Sequence, residues 1–467
     1  MNIMPTSEEQ CPHLDLQLEP SPYAAEAGFE WQPLCRRLAA TTKSGRRAPS
    51  AGSRRKAEND IPAQSAIGEP ALSYPAPLVL PNDDLACDPK CPPQSFRSWL
   101  YEKARNKPKE DRRTLYVAAV PEITSSMAFM RDWLQPDTAS GRSSGGGLKQ
   151  KPPGNKTLPS PSYEDIVSYL STFYRGLPLK PFPQRLRFVP WEETRMKKPN
   201  IHSTYVGLAT RDSCTRIRVR SPPDGVFKGQ LNLGDILDAA IEMLPGDAYS
   251  LLLLLDHDMY EDEDDDFCCG RAYGGSRVAV VSSSRYHPIL DEQVGIEYSH
   301  MWPASHCKSY INGLCTVDKP KEQSGDPWAT SFIPLRAAID AAKDIIVPTS
   351  QEGLRALWFS RLARTASHEL GHCFGMEHCV YYACNMQSTA GMAEDVRQPP
   401  YLCPICLSKF SYAVACELQG HDDTGRQLYI QERYGAIITF CDGWKGNGLF
   451  TGYGAWARAR LDLLQQT

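Results

Sequence analysis

A chain of 467 residues has room for one large core or two ordinary ones, and a net charge of -4 with a pI near 6.2 does not suggest a dedicated nucleic-acid binder. No apolar run approaches the ~18 residues of a membrane span, residues 251–255 being the most apolar stretch, and the N-terminus lacks the basic-then-apolar pattern of a secretory signal. The expectation is an intracellular chain, cytoplasmic or nuclear, with no membrane or nucleic-acid partner, whose 16 cysteines serve as metal ligands or buried thiols rather than as a disulfide framework.

Residues 1–75 are expected to form a disordered tail. Between residues 31 and 57 it carries Arg36, Arg37, Lys43, Arg46, Arg47, Arg54, Arg55 and Lys56 and no acid. Such a run reads first as a solvated basic tail and second as a nuclear-import or polyanion-binding segment. Residues 76–112 form a proline-rich approach, extended because proline fixes the backbone and removes a donor. Cys87 and Cys91 within it lack a second pair nearby and make only a weak zinc candidate.

The folded domain is expected over 113–434. Residues 114–120 read as a strand and 122–134 as helical, before a flexible Gly/Ser/Pro/Lys-rich loop at 137–162. Ser162 can cap a helix whose face is Ile166, Val167, Leu170, Phe173 and Tyr174. Residues 185–189 alternate like a strand, and Leu233, Ile236, Leu237, Ala240, Ile241 and Leu244 line a second amphipathic helix. Residues 249–255 read as a fully buried strand, 261–266 as an acidic surface loop, and 278–282 as another strand. This alternation predicts an α+β (α/β-like) domain with a mixed sheet backed by helices. An insertion spans 286–348, and 435–467 is expected to be an irregular tail.

Within the insertion, His300, His306 and Cys307, with Cys315 nearby, read either as packed loop residues or as a metal cluster, and the former is the ordinary case. The fragment His300-Met301-Trp302-Pro303-Ala304-Ser305 also loosely resembles the core of endonuclease-I-type nucleases.

The chemistry concentrates between residues 365 and 406. Thr349-Ser350-Gln351-Glu352 has capping-box spacing, with Thr349 as the cap. Leu354, Leu357, Trp358, Leu362, Ala366, Leu370 and Cys373 then recur at intervals of three and four and should face the sheet. On that helix His368 and His372 lie one turn apart and project about 160° from Leu370. A left-handed turn at Gly375 would swing His378 back toward the same point. Three neutral imidazoles give zinc three ligands and leave a fourth position for water, the arrangement of a catalytic site. Glu369 is then the natural general base.

Cys379-x4-Cys384 and Cys403-x2-Cys406 make two ligand pairs for one tetrahedral ion. Four thiolates close the shell, so this second zinc should be structural. Met386, eight residues past His378, reads as core filler or as the floor beneath the catalytic zinc.

At these residues HELGHCFGMEHC resembles the metzincin signature, and Cys384-Asn385-Met386 with Cys403-Pro404-Ile405-Cys406 resembles the archaemetzincin subfamily. The resemblance implies a compact zinc metallopeptidase domain acting on peptides or proteins, with two zinc ions per chain. It implies a catalytic zinc on His368, His372 and His378, Glu369 as base, a second zinc on Cys379, Cys384, Cys403 and Cys406, and Met386 as the Met-turn residue. It also implies an edge strand that aligns substrate, for which 278–282 is the candidate. Two other readings stand beside the peptidase: a catalytically quiet two-zinc scaffold with a blocked cleft, and a nuclease acting through His300.

Overall fold

The computed structural model describes residues 11, 13–46, 73–137, 158–191, 204–315 and 334–466. Two sheets organise it. The first runs, edge to edge, Gly270–Tyr273, Val278–Ser282, Ala248–Leu255, Thr114–Ala118 and Leu179–Pro181. All its neighbours are parallel except the first pair, which is antiparallel, so the sheet is mixed. The second is six-stranded and mostly antiparallel, from Glu122–Ile123 through Arg187–Pro190, Tyr205–Ala209, Cys214–Arg220 and Gln230–Asn232 to Asp258–Tyr260.

The central strand Ala248–Leu255 is buried at every position because both faces of its sheet are covered. Successive side chains alternate between the faces. Leu252, Leu254, Ala279 and Val281 pack into one core with Leu362, Ala366 and Leu370. Leu251, Leu253, Leu255, Val278 and Val280 pack into the other, with Ile236, Leu237 and Ala240 of the helix Leu233–Glu242 and with Phe188, Val206 and Leu208 of the second sheet. The α+β architecture expected from the sequence is thus present, with helices backing a mixed sheet. Ile241 is the exception on its helix, 38% exposed rather than packed.

The ends of the chain differ from expectation. Residues 435–467 are not an irregular tail: helix Asp423–Asp442 runs through the first part, and Gly448–Gln466 follows it. Phe450, Trp456 and Ala457 of the last helix are fully buried. The glycines that weaken its propensity permit close packing, since a Cβ on Gly452 would stand 3.0 Å from Pro303 Cγ. The helix expected at 418–434 starts later, after a wide π-type turn over Tyr412–Leu418.

Residues 13–46 also belong to the fold rather than to a disordered tail. Ala24 and Phe29 are buried with Val79, Leu85 and Val380. Trp31 Nε1 donates to Tyr381 O at 2.5 Å, and the Arg37 guanidinium lies 3.4 Å over the Trp31 ring. Arg37, part of the basic run, is therefore a buried packing residue. Arg47, Arg54, Arg55 and Lys56 lie outside the described residues, as does most of the 137–162 loop. Among the described residues no helix is long and apolar enough to cross a membrane.

Candidate active site

Helix Gln351–Cys373 carries the first two histidines. Its cap is Ser350, one residue after the expected Thr349: Ser350 has the extended backbone, and its Oγ accepts the Gly353 amide at 3.1 Å. From Leu357 onward the helix is buried nearly all round, because the sheet covers one side and the C-terminal helices another. Two arginines fix it. Arg361 makes a bidentate pair with Asp291 at 2.7 and 2.8 Å, and Arg364 pairs with Asp395 and donates to Gln398 O at 3.1 Å.

The helix ends as expected. Gly375 takes φ +73° and its amide donates to His372 O at 2.8 Å, turning the chain so that His378 returns to the other two histidines. The ring centroids are 4.8, 4.9 and 5.4 Å apart. His368 Nδ1 donates to Asn385 O at 2.6 Å and His372 Nδ1 to Met376 O at 2.7 Å. A carbonyl only accepts, so both Nδ1 atoms carry the hydrogen and both Nε2 atoms present lone pairs.

Those two Nε2 atoms face each other at 3.0 Å. Two lone pairs repel there unless a cation stands between them. Zinc–nitrogen bonds of about 2.0–2.1 Å place tetrahedral nitrogens about 3.3 Å apart, so the donor set fits zinc. Burial lowers the pKa of all three imidazoles, His372 to about 3, which keeps them neutral and able to ligate.

Glu369 is buried beside them, and burial pushes its carboxyl up to about 8, with Arg271 pulling the other way. A base whose pKa lies near the working pH is suited to proton transfer. Met386 is fully buried beneath the helix at Gly371. A Cβ on Gly371 would stand 2.4 Å from Met386 Sδ. Gly371→Ala is therefore expected to lower stability by about 1–3 kcal/mol through overpacking, read as a fall in the thermal midpoint.

Cys379, Cys384, Cys403 and Cys406 converge as the spacing predicts, all four buried, with sulfurs within 4.8 Å of one another. Cys403 heads the helix Pro404–Ser411, and its amide donates to Cys384 Sγ at 3.2 Å. The Cys379 amide donates to Met386 O at 2.7 Å. The histidine and cysteine clusters thus share one short stretch of backbone.

His368, Glu369, His372 and His378 line a single cavity of about 460 Å³. A larger one, about 570 Å³, lies elsewhere, between Leu38, Tyr74, Pro404 and Tyr434, and contains none of these groups. Two features of the cleft were not read from the sequence. The acidic residues Glu261, Asp264, Asp265 and Asp266 line it, whereas the sequence suggested an ordinary surface loop. The edge strand is Gly270–Tyr273, not 278–282, which sits inside the sheet between that strand and Ala248–Leu255. Gly270 packs over Glu369, its missing Cβ 3.1 Å from Glu369 Cγ. The short glycine-containing segment gave no periodic signal by which to find it.

Outside the cleft lining, burial and then Asp83 push the Glu394 carboxyl up to about 8, although it accepts the Ala390 and Asp84 amides at 2.7 and 2.9 Å. A carboxyl held protonated by the fold contributes stability that is complete below its ordinary value of 4.5 and lost as pH rises through about 8. Glu394→Gln is expected to flatten the alkaline decline of the thermal midpoint across that window.

Residues 344–412 match the model of Peptidase family M54. Archaemetzincin-2 of Macaca fascicularis is 23% identical over 376 residues, spanning 80% of this chain and 76% of that protein. The Homo sapiens Archaemetzincin-2 matches to the same extent, also at 23% identity. Among solved structures, a zinc-dependent peptidase from Methanocorpusculum labreanum aligns at 14% identity with a TM-score of 0.29, covering 63% of this chain and 99% of that one. The class of protein is therefore a zinc metallopeptidase. Within that class the chain is similar to the archaemetzincins over most of its length.

Proposed function

We propose that the cleft hydrolyses peptide bonds with Glu369 as general base, a catalytic zinc on His368, His372 and His378, and a second, structural zinc on Cys379, Cys384, Cys403 and Cys406. The carrying observation is the convergence of three neutral imidazoles and a buried carboxyl on one cavity edged by the strand Gly270–Tyr273. Zinc there supplies Lewis acidity, making a water easier to deprotonate and the scissile carbonyl easier to attack. Glu369 takes the proton from the water and delivers it to the leaving amine. Asn385 O and Met376 O hold the two helix imidazoles in the ligating tautomer.

Substrate is a peptide or protein segment laid in extended form along Gly270–Tyr273, pairing with the free edge of the sheet. Met386 supports the histidines from below. An intracellular location, cytoplasmic or nuclear, accords with sixteen free cysteines. The test is digestion of a diverse peptide library with and without a zinc chelator. Cleavage that the chelator stops and zinc restores is the expected result; an intact library at every condition would favour a two-zinc scaffold instead.

A further inference from the structure

Away from the cleft, a third group of metal-ligating side chains joins the start of the chain to the loop before helix Lys308–Leu314. Cys11, His300 and Cys307 bring one ligand atom each within 4.8 Å of the others. The peptidase chemistry does not use them, and Cys11 was not among the residues that the sequence grouped with His300 and Cys307. His306 and Cys315, which the sequence placed alongside, go elsewhere: His306 Nε2 bonds Ala76 O at 3.1 Å, and Cys315 packs with Leu78, Leu80 and Ile311.

Three observations point to an ion. First, Cys11 Sγ and Cys307 Sγ are 3.6 Å apart, against 3.5 Å for Cys379 and Cys403 in the four-cysteine cluster. Two thiolates on a tetrahedral zinc, each bonded at about 2.3 Å, stand about 3.8 Å apart. Second, His300 is buried and its imidazole interacts with both the Cys11 and the Cys307 thiols, so the three side chains already converge on one point. Third, Glu297 Oε1 holds His300 Nδ1 at 2.5 Å and Tyr310 stacks on the ring at 4.1 Å, so the imidazole is oriented with Nε2 toward the two sulfurs. A carboxylate behind a ligating histidine is the usual outer partner in zinc sites.

We propose that Cys11, His300 and Cys307 hold a zinc ion that staples the N-terminal segment to the body of the protein. Two thiolates and an imidazole form a donor set suited to zinc. His13 stands beside it, ring centroid 5.2 Å from that of His300 and its own Nε2 buried without a partner, and is the side chain suited to the fourth position. The ion would secure contacts that already run along this strap. Gln17 N donates to His306 O at 2.8 Å, Lys308 N to Asp15 O at 2.9 Å, and Arg336 to His13 O at 2.8 Å. Leu16 and Leu18 pack against Leu335 and Ile339.

The test is zinc per chain by mass spectrometry, on the full chain purified with zinc and a non-chelating reductant. Cys11→Ser and His300→Gln are each expected to hold one zinc fewer than wild type, with circular dichroism and peptidase rate unchanged and faster amide exchange over residues 14–18. The readout is a difference between chains sharing the histidine and four-cysteine clusters, so it stands whatever those clusters hold. Equal zinc content in wild type and Cys11→Ser overturns the proposal. So does recovery of Cys11 and Cys307 as a disulfide from protein kept reduced throughout. Two variants guard against misfolding of either one: Cys11 lies near the chain end, and glutamine retains most of the bulk of His300.

Discussion

Glu369→Gln is expected to leave the zinc content of the chain unchanged while peptide hydrolysis falls by at least about 10²–10⁴-fold, the range a positioned general base supplies. Glutamine has nearly the shape of glutamate, so the contact with Gly270 and the burial of the side chain persist. What disappears is the capacity to accept the proton from water and pass it on. The histidines keep their carbonyl partners Asn385 and Met376, and with them the ligating tautomer. Measuring kcat/KM on a peptide found by library digestion, beside zinc content, separates chemistry from metal loss. A variant within tenfold of wild type at equal zinc content would remove Glu369 from the role.

Cys403→Ser is expected to lose one zinc and to weaken the binding of another. A serine hydroxyl does not ionise at neutral pH, so the four-thiolate shell is left with three members. Structural zinc binding in small domains is worth about 10–16 kcal/mol, and losing even a third of that is comparable to the whole stability of many domains. A drop in thermal midpoint of roughly 10 °C or more follows.

The second half of that prediction rests on connectivity. Asn385, whose carbonyl orients His368, lies between Cys384 and Met386, and Cys379 follows His378 directly. Loosening the cysteine cluster therefore moves two imidazoles at once. A fall of about 10–100-fold in affinity for the zinc that remains on the histidines is the expected size, as when an outer partner of a ligand is lost. Competition with a chromogenic chelator measures it. If the remaining zinc binds as tightly as in wild type, the two clusters are independent.

How much of this was legible in the sequence follows from the range of the interactions involved. His368, Glu369 and His372 share a helix by a spacing that any α-helix enforces, and Gly375 ends that helix by a conformation glycine adopts freely. Cys379 with Cys384, and Cys403 with Cys406, are local pairs for the same reason. The buried strand Ala248–Leu255 declared itself by composition alone.

Tertiary structure decided the rest. Whether Gly270–Tyr273 or Val278–Ser282 forms the sheet edge depends on pairing, which a short strand with little hydrophobic pattern does not specify. The C-terminal glycines argue against a helix until Trp456 and Phe450 find a core to fill, and burial then outweighs propensity. Arg361 and Arg364 interrupt an apolar helix in the sequence, yet both are buried because Asp291 and Asp395 meet them from distant segments. Cys11 shows the limit best: 296 residues separate it from Cys307, and no local rule relates the two. The sequence by itself determined the helix that carries His368, Glu369 and His372 and the histidine and cysteine patterns that follow it, because those are set by covalent spacing. The sheet edge at Gly270–Tyr273, the acidic lining of the cleft and the third cluster were decided by folding, because each depends on which remote surfaces pack together.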